Sequence, residues 1–189
     1  MGADKDENVL TDHELTSNSL PSQSTSTIFE SASNGNLDEV KQLVSNLCSG
    51  IQYDDVTSPV HCLHLLRDKK SSTPLHYAAG NGHVEVCQFL LHTIRLEATQ
   101  CCNETVVSSY ANLPNKTQGR TALHWAARNG HLEVMAALLK ADAVVRKAKL
   151  DGSTPLMYAA FFGHADAVSL LLRAGAGTAV NQVRRVDGA

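Results

Sequence analysis

At 189 residues the chain is long enough for one domain with a buried core plus a tail. Its 43% apolar content is ordinary for a globular protein, and a net charge of -3 gives no overall pull toward nucleic acid or an anionic membrane. No run of about 18 apolar residues is present to span a bilayer, so neither a membrane nor nucleic acid is expected as a partner.

The first residues, MGADKDENVL, are charged and lack the apolar stretch of a secretory signal, and Asp6 stands where an N-myristoylation motif wants Ser or Thr. Without export, the sequons at Asn103 and Asn115 stay unmodified and the five cysteines stay reduced, which points to the cytosol, the nucleus or both. Residues 1–24 are rich in Ser, Thr, Asn and acidic side chains with isolated leucines, a composition that reads as a disordered tail. The remainder, 25–189, reads as the folded domain.

Within it the chain repeats. Thr73-Pro-Leu-His-Tyr-Ala-Ala-Gly-Asn-Gly-His83 matches Thr121-Ala-Leu-His-Trp-Ala-Ala-Arg-Asn-Gly-His131 and Thr154-Pro-Leu-Met-Tyr-Ala-Ala-Phe-Phe-Gly-His164. The last two copies start 33 residues apart, and the first two start 48 apart, one period plus an insertion of 15. A weaker copy, Ser26 to Asn36, lies 47 residues before Thr73.

Each copy has the same local logic. The Thr caps a helix, and Pro74 or Pro155 takes the first helical position, where a missing N–H costs nothing. The helix runs to Gly35, Gly82, Gly130 or Gly163, which supplies the positive φ that lets the chain fold back. A second helix follows with apolar residues at helical spacing: Val84, Cys87, Leu90 and Leu91, then Leu132, Met135, Leu138 and Leu139. Leu37, Val40, Leu43 and Val44 keep that register upstream, and Ala165, Val168, Leu171 and Leu172 keep it downstream. No such helix pair buries its apolar face alone, so neighbours must stack.

The Thr-Pro-Leu-His-x-Ala-Ala motif with a later Gly-His, at a period of 33, resembles the ankyrin repeat over residues 24–189. The resemblance implies an all-α solenoid of about four helix-turn-helix repeats, at about 25–47, 73–91, 121–153 and 154–189, with short or irregular β-hairpin fingers. Two long loop insertions, about 48–72 and 92–117, interrupt it. In the first, Val60 to Leu66 has the makings of a short helix, and in the second Leu90 to Cys101 can extend the preceding helix. The polar first copy, with Glu30 and Ser31 where others carry an aromatic residue and Ala, reads as a terminal cap. At the other end Val186-Asp-Gly-Ala189 mirrors Leu150-Asp-Gly-Ser153, the turn that leads into a repeat, so the last helix pair is expected to be uncapped and to continue or dock.

Chemistry is hard to find. His76, His83, His124, His131 and His164 fall at repeat positions, where the resemblance implies that imidazoles bond backbone and tie turns together. His61-Cys62-Leu63-His64 is the compact His/Cys cluster, but no second ligand pair follows at zinc spacing; Cys101 and Cys102 leave only a split site to consider. No nucleophile elbow, phosphate loop or dinucleotide fingerprint is present, and Ala174-Gly-Ala-Gly177 follows a helix instead of opening one. Cys87 stands where other copies place Val40, Met135 and Val168, as a small core hydrophobe. No catalytic residue, metal or cofactor is therefore expected.

A protein partner is. The resemblance places the concave face on the first helices and on finger residues just before each Thr. Residues three and four apart bring Tyr77, Gly80 and Asn81 onto one face, then Trp125, Arg128 and Asn129, then Tyr158, Phe161 and Phe162. Finger positions Lys70, Ser72, Gln118, Arg120, Asp151 and Ser153 join them, while Leu75, Ala79, Leu123, Ala127, Leu156 and Ala160 face the core. Trp, Tyr and Arg are the side chains that most often dominate a protein interface. The basic residues Arg146, Lys147, Lys149, Arg173, Arg184 and Arg185 read either as solvated finger tips or as a contact for an acidic segment. Three functions stay open: a monomeric interaction module, a metal protein using its insertions, and the N-terminal targeting arm of a larger signalling protein such as a ligase, kinase or channel.

Overall fold

A computed structural model describes residues 22–49, 63, 66–100 and 109–176. Four helix pairs follow in order: α1 (Ser22–Asn34) with α2 (Leu37–Ser49), α3 (Pro74–Asn81) with α4 (Val84–Gln100), α5 (Ala122–Asn129) with α6 (Leu132–Lys140), and α7 (Pro155–Phe161) with α8 (Ala165–Arg173). The first helices α1, α3, α5 and α7 pack side by side in one layer, and the second helices form the other. Among the described residues there is no strand.

The helix boundaries follow from cap chemistry. Thr73, Thr121 and Thr154 hold extended backbone, and Pro74 and Pro155 open α3 and α7. Gly82 and Gly130 end α3 and α5 in the left-handed region, at φ of 81° and 75°. The first copy differs: α1 starts at Ser22, a turn ahead of the Ser26 cap position. Ser31, buried, turns its hydroxyl back to the Thr27 carbonyl at 2.8 Å.

Small side chains set the spacing between first helices. Ala78, Ala79, Ala126 and Ala127 are fully enclosed, with Leu75 and Leu123. Ala160 departs from its expected place in the core: it is exposed, because no described helix follows to pack on α7 as α5 packs on α3. In the second helices the buried stripe includes Val86, Val134 and Ala167, one position before Cys87, Met135 and Val168. Leu132, Ala165 and Leu172, expected on the apolar face, are exposed, since that stripe turns the edge of each helix toward solvent.

The second insertion is loop only in part. Residues 92–100 continue α4, which has 17 residues against nine in α6 and α8. Residues 109–111 form a helical turn that drives Tyr110 into the core at 1% exposure. In the first insertion Leu63 and Leu66 are buried, and the rest of the Val60–Leu66 segment lies outside the described residues. Both insertions end in a tight finger of the kind that also precedes α7. The Asp68 N–H donates to Ser72 O at 3.0 Å, Asn115 N–H to Arg120 O at 2.8 Å, and Lys149 N–H to Ser153 O at 2.9 Å.

Candidate partner-binding groove

Two sets of histidines stitch the repeats in opposite directions. The His76 Nδ1 accepts from the Thr73 N–H at 3.1 Å, and the His124 Nδ1 from the Thr121 N–H at 3.2 Å. A backbone N–H can only donate, so each ring carries its proton on Nε2. From there it donates forward to the next finger, to Arg120 O at 3.0 Å and Ser153 O at 3.2 Å. Burial holds both rings down to about 4, well below the ordinary imidazole range. The other set reaches backward: His83, His131 and His164 bond Ser33 O, Gly80 O and Arg128 O at 2.8, 3.0 and 2.9 Å.

Both sets stop at α7. Met157 occupies the position of His76 and His124, and Thr154 there accepts only a long backbone cap bond of 3.4 Å. A Cβ on Gly82 or Gly130 would strike the imidazole of the following repeat, whereas one on Gly163 would meet nothing within 4 Å. Among the described residues no helix packs on the far side of α7, and there Phe161 is 79% and Phe162 42% exposed.

That surface borders a groove of about 720 Å³ between the last two fingers and α5 and α7. Its side chains are locked together. Arg120 donates to the Tyr158 hydroxyl at 2.9 Å and lies 5.2 Å from its ring centroid. Phe162 stacks on Tyr158 with planes 5° apart, and Arg128 sits 5.3 Å over Phe162. Lys149 approaches Tyr158 at 5.6 Å while pairing with Asp151 at 2.7 Å. Desolvation works to raise Asp151, but bonds from Lys149 and Ser153 win and hold it well below the usual carboxylate range.

Of the residues expected at a partner surface, the groove gathers Gln118, Arg120, Arg128, Ser153, Tyr158, Phe161 and Phe162. It leaves the others apart. Tyr77 is half-buried between Phe29 and Trp125, with its hydroxyl donating to Asp68 Oδ2 at 2.7 Å, and burial and that bond push it up to about 12. Trp125 packs edge-on against His76 and Tyr77. The Asn81 and Asn129 amides are exposed, but they bond backward to Ser33 O at 2.8 Å and Gly80 O at 2.5 Å. Asp151 closes its own finger through the Ser153 N–H at 2.9 Å, and Ser72 is fully buried. Met157 lines the groove and was not among the expected contacts; Lys149, also in the lining, is one of the basic finger residues read from the sequence either as solvated or as a contact for an acidic segment.

Cys87 is buried and its thiol is pushed up to about 12, chiefly by desolvation, as suits a core hydrophobe. Among the described residues no three His, Cys, Asp or Glu side chains converge as metal ligands would. His61, Cys62, His64, Cys101 and Cys102 lie outside the described residues, as do Arg184 and Arg185.

Comparison with known proteins agrees with this architecture. A family model described as ankyrin repeats (3 copies) matches residues 7–100 and 97–182. No curated protein matches the chain. Among solved structures, it resembles a chain in the crystal structure of the yeast ribosomal protein Rps3 in complex with its chaperone Yar1. That match has 28% identity and a TM-score of 0.67, covering 82% of this chain and 94% of the other. Repeat period, alternating helix layers and family match together make this chain a member of the ankyrin-repeat family.

Proposed function

We propose that this chain is a protein-interaction module that has no catalysis of its own and seats a partner in the groove formed by α5, α7 and their fingers. The observation that carries this reading is the exposed Phe161 and Phe162 beside two arginines already fixed by ring contacts. Exposed aromatic surface next to pre-positioned guanidinium groups is the composition of a protein-binding hot spot. The similar solved structure is a complex of a ribosomal protein with its chaperone, which supports a protein as the ligand class.

The test uses surface positions, since Trp125 and Tyr77 are packed between repeats and their loss would disturb the stack. Phe161 is replaced with a photoreactive phenylalanine analogue and the full chain is irradiated in lysate. A discrete protein adduct is expected from position 161, and none from a matched probe at Glu133, which is exposed on α6. Arg128→Ala in the chain that carries the probe at position 161 should abolish the adduct while the circular dichroism spectrum is kept. An undiminished adduct from that folded variant sinks this placement.

A further inference from the structure

The groove is electrostatically one-sided. Arg120, Arg128 and Lys149 line it, and no Asp or Glu does. Lys149 is neutralised by Asp151, but neither arginine has an acidic partner among the described residues. Arg120 uses one guanidinium N–H on Tyr158, and its Nε is shielded from solvent, so its remaining terminal N–H groups are the donors left for a ligand. Arg128 is exposed, and its guanidinium is held over Phe162. Planar guanidinium groups fixed this way, with donors to spare, are pre-organised for carboxylate and lose little freedom when they engage it.

Shape supplies the second half of the argument. Phe161 projects next to the two arginines, its ring edge-on to Phe162 at 5.1 Å. This arrangement leaves room for an apolar side chain of a ligand to cover Phe161 while neighbouring carboxylates reach Arg120 and Arg128. Single-stranded nucleic acid fits less well. It needs several free ring faces and a basic track along its backbone. Here Tyr158 is already engaged by Arg120, Lys149 and Phe162, and the chain as a whole is acidic. We propose that the groove takes an acidic segment of a partner protein, with an apolar residue set between its carboxylates. This rests on the interaction-module reading above and names the chemistry of its ligand.

The experiment is selection of the full chain against an unbiased random peptide library. The best peptide is then fluorescently labelled and measured by anisotropy beside its counterpart with every Asp and Glu changed to Asn and Gln. Enriched peptides are expected to carry net negative charge around an apolar residue, and to weaken as salt rises. Neutralising the peptide should lower affinity at least about tenfold, and so should Arg128→Gln, whose exposed side chain leaves folding intact. Arg120→Gln should act in the same direction, with its thermal melt recorded because it also releases Tyr158. Enrichment of neutral or basic peptides, or no enrichment, overturns the proposal. So does tighter binding of a labelled single-stranded RNA, or self-association that Phe161→Ala abolishes. If position 161 cross-links a protein while the library shows no acidic preference, the module reading stands and the acidic inference falls. If both fail, both fall.

Discussion

Five histidines, at 76, 83, 124, 131 and 164, join one repeat to the next through backbone carbonyls, and two of them carry a pH dependence with them. His76 and His124 are held neutral by burial, with folded values of about 4 against an ordinary 6.5. Between those values the unfolded chain binds more protons than the folded one, so stability rises with pH across that window. It is fully present above 6.5 and is lost as pH falls toward 4, by on the order of 3 kcal/mol for each ring. Urea titrations at about pH 7 and about pH 4.5 should show a clear drop in midpoint, and His124→Gln should flatten part of it. An unchanged midpoint would mean that these rings are not buried in the folded chain. Glycine offers a cleaner pair. Gly130 and Gly163 share nearly the same positive φ, 75° and 76°, but only Gly130 faces an imidazole. Gly163→Ala therefore reports backbone strain alone, about 1–2 kcal/mol. Gly130→Ala adds displacement of His164 and loss of its bond to Arg128 O, roughly a further 1–3 kcal/mol. Equal thermal shifts in the two variants would remove the stitch from the account.

At the scale of elements, the insertions hold up the stack as well as interrupting it. Tyr110 comes from the second insertion, yet it is among the largest fully buried side chains, and desolvation pushes its hydroxyl pKa far up. Tyr110→Ala should cost about 3–5 kcal/mol, read by chemical denaturation, as truncation of a core aromatic does. A loss under about 1 kcal/mol would make the segment dispensable. Nothing in the sequence marked this residue, because it falls between copies, where no period applies. The helix pairs were legible for the opposite reason. Thr73, Pro74 and Gly82 act on their own stretch of backbone, so their meaning survives without tertiary context. The lining of the candidate groove was half legible. Tyr158, Phe161 and Phe162 were readable as one helical face, and Arg120 as a finger residue beside it. Asn81 and Asn129 looked like ligand contacts on a polar face. Their amides instead reach carbonyls nearly 50 residues back, at Ser33 and Gly80, and such a pairing is set by stacking distance alone. Ala160 was misplaced for a related reason: whether a core position is covered depends on what packs next to it.

The whole molecule has a direction. Every stitch joins a repeat to its neighbours, so each unit's stability is the sum of its own helices and the contacts on either side. The pairs α3–α4 and α5–α6 have a packed neighbour on both flanks, while α7–α8 has one on a single described flank. At that end Ala160 and Phe161 are exposed, Gly163 is open, and Met157 replaces the forward-bonding histidine. Native-state hydrogen exchange should therefore be graded along the chain, because local opening follows the contacts that must be broken. Amides of α3 and α5 should exchange only with global unfolding. Those of α7 and α8 should open with a free energy lower by at least about 1–2 kcal/mol, enough for a five- to thirty-fold difference in protection. The groove lies on this looser end, so ligand binding should slow α7 most and α3 least, since a ligand stabilises the form that it contacts. Occupancy of the groove would then be visible as a change in local stability before any partner is named. Uniform protection from α3 to α8, or a ligand effect centred on α3, would be incompatible with a stack whose open face is α7.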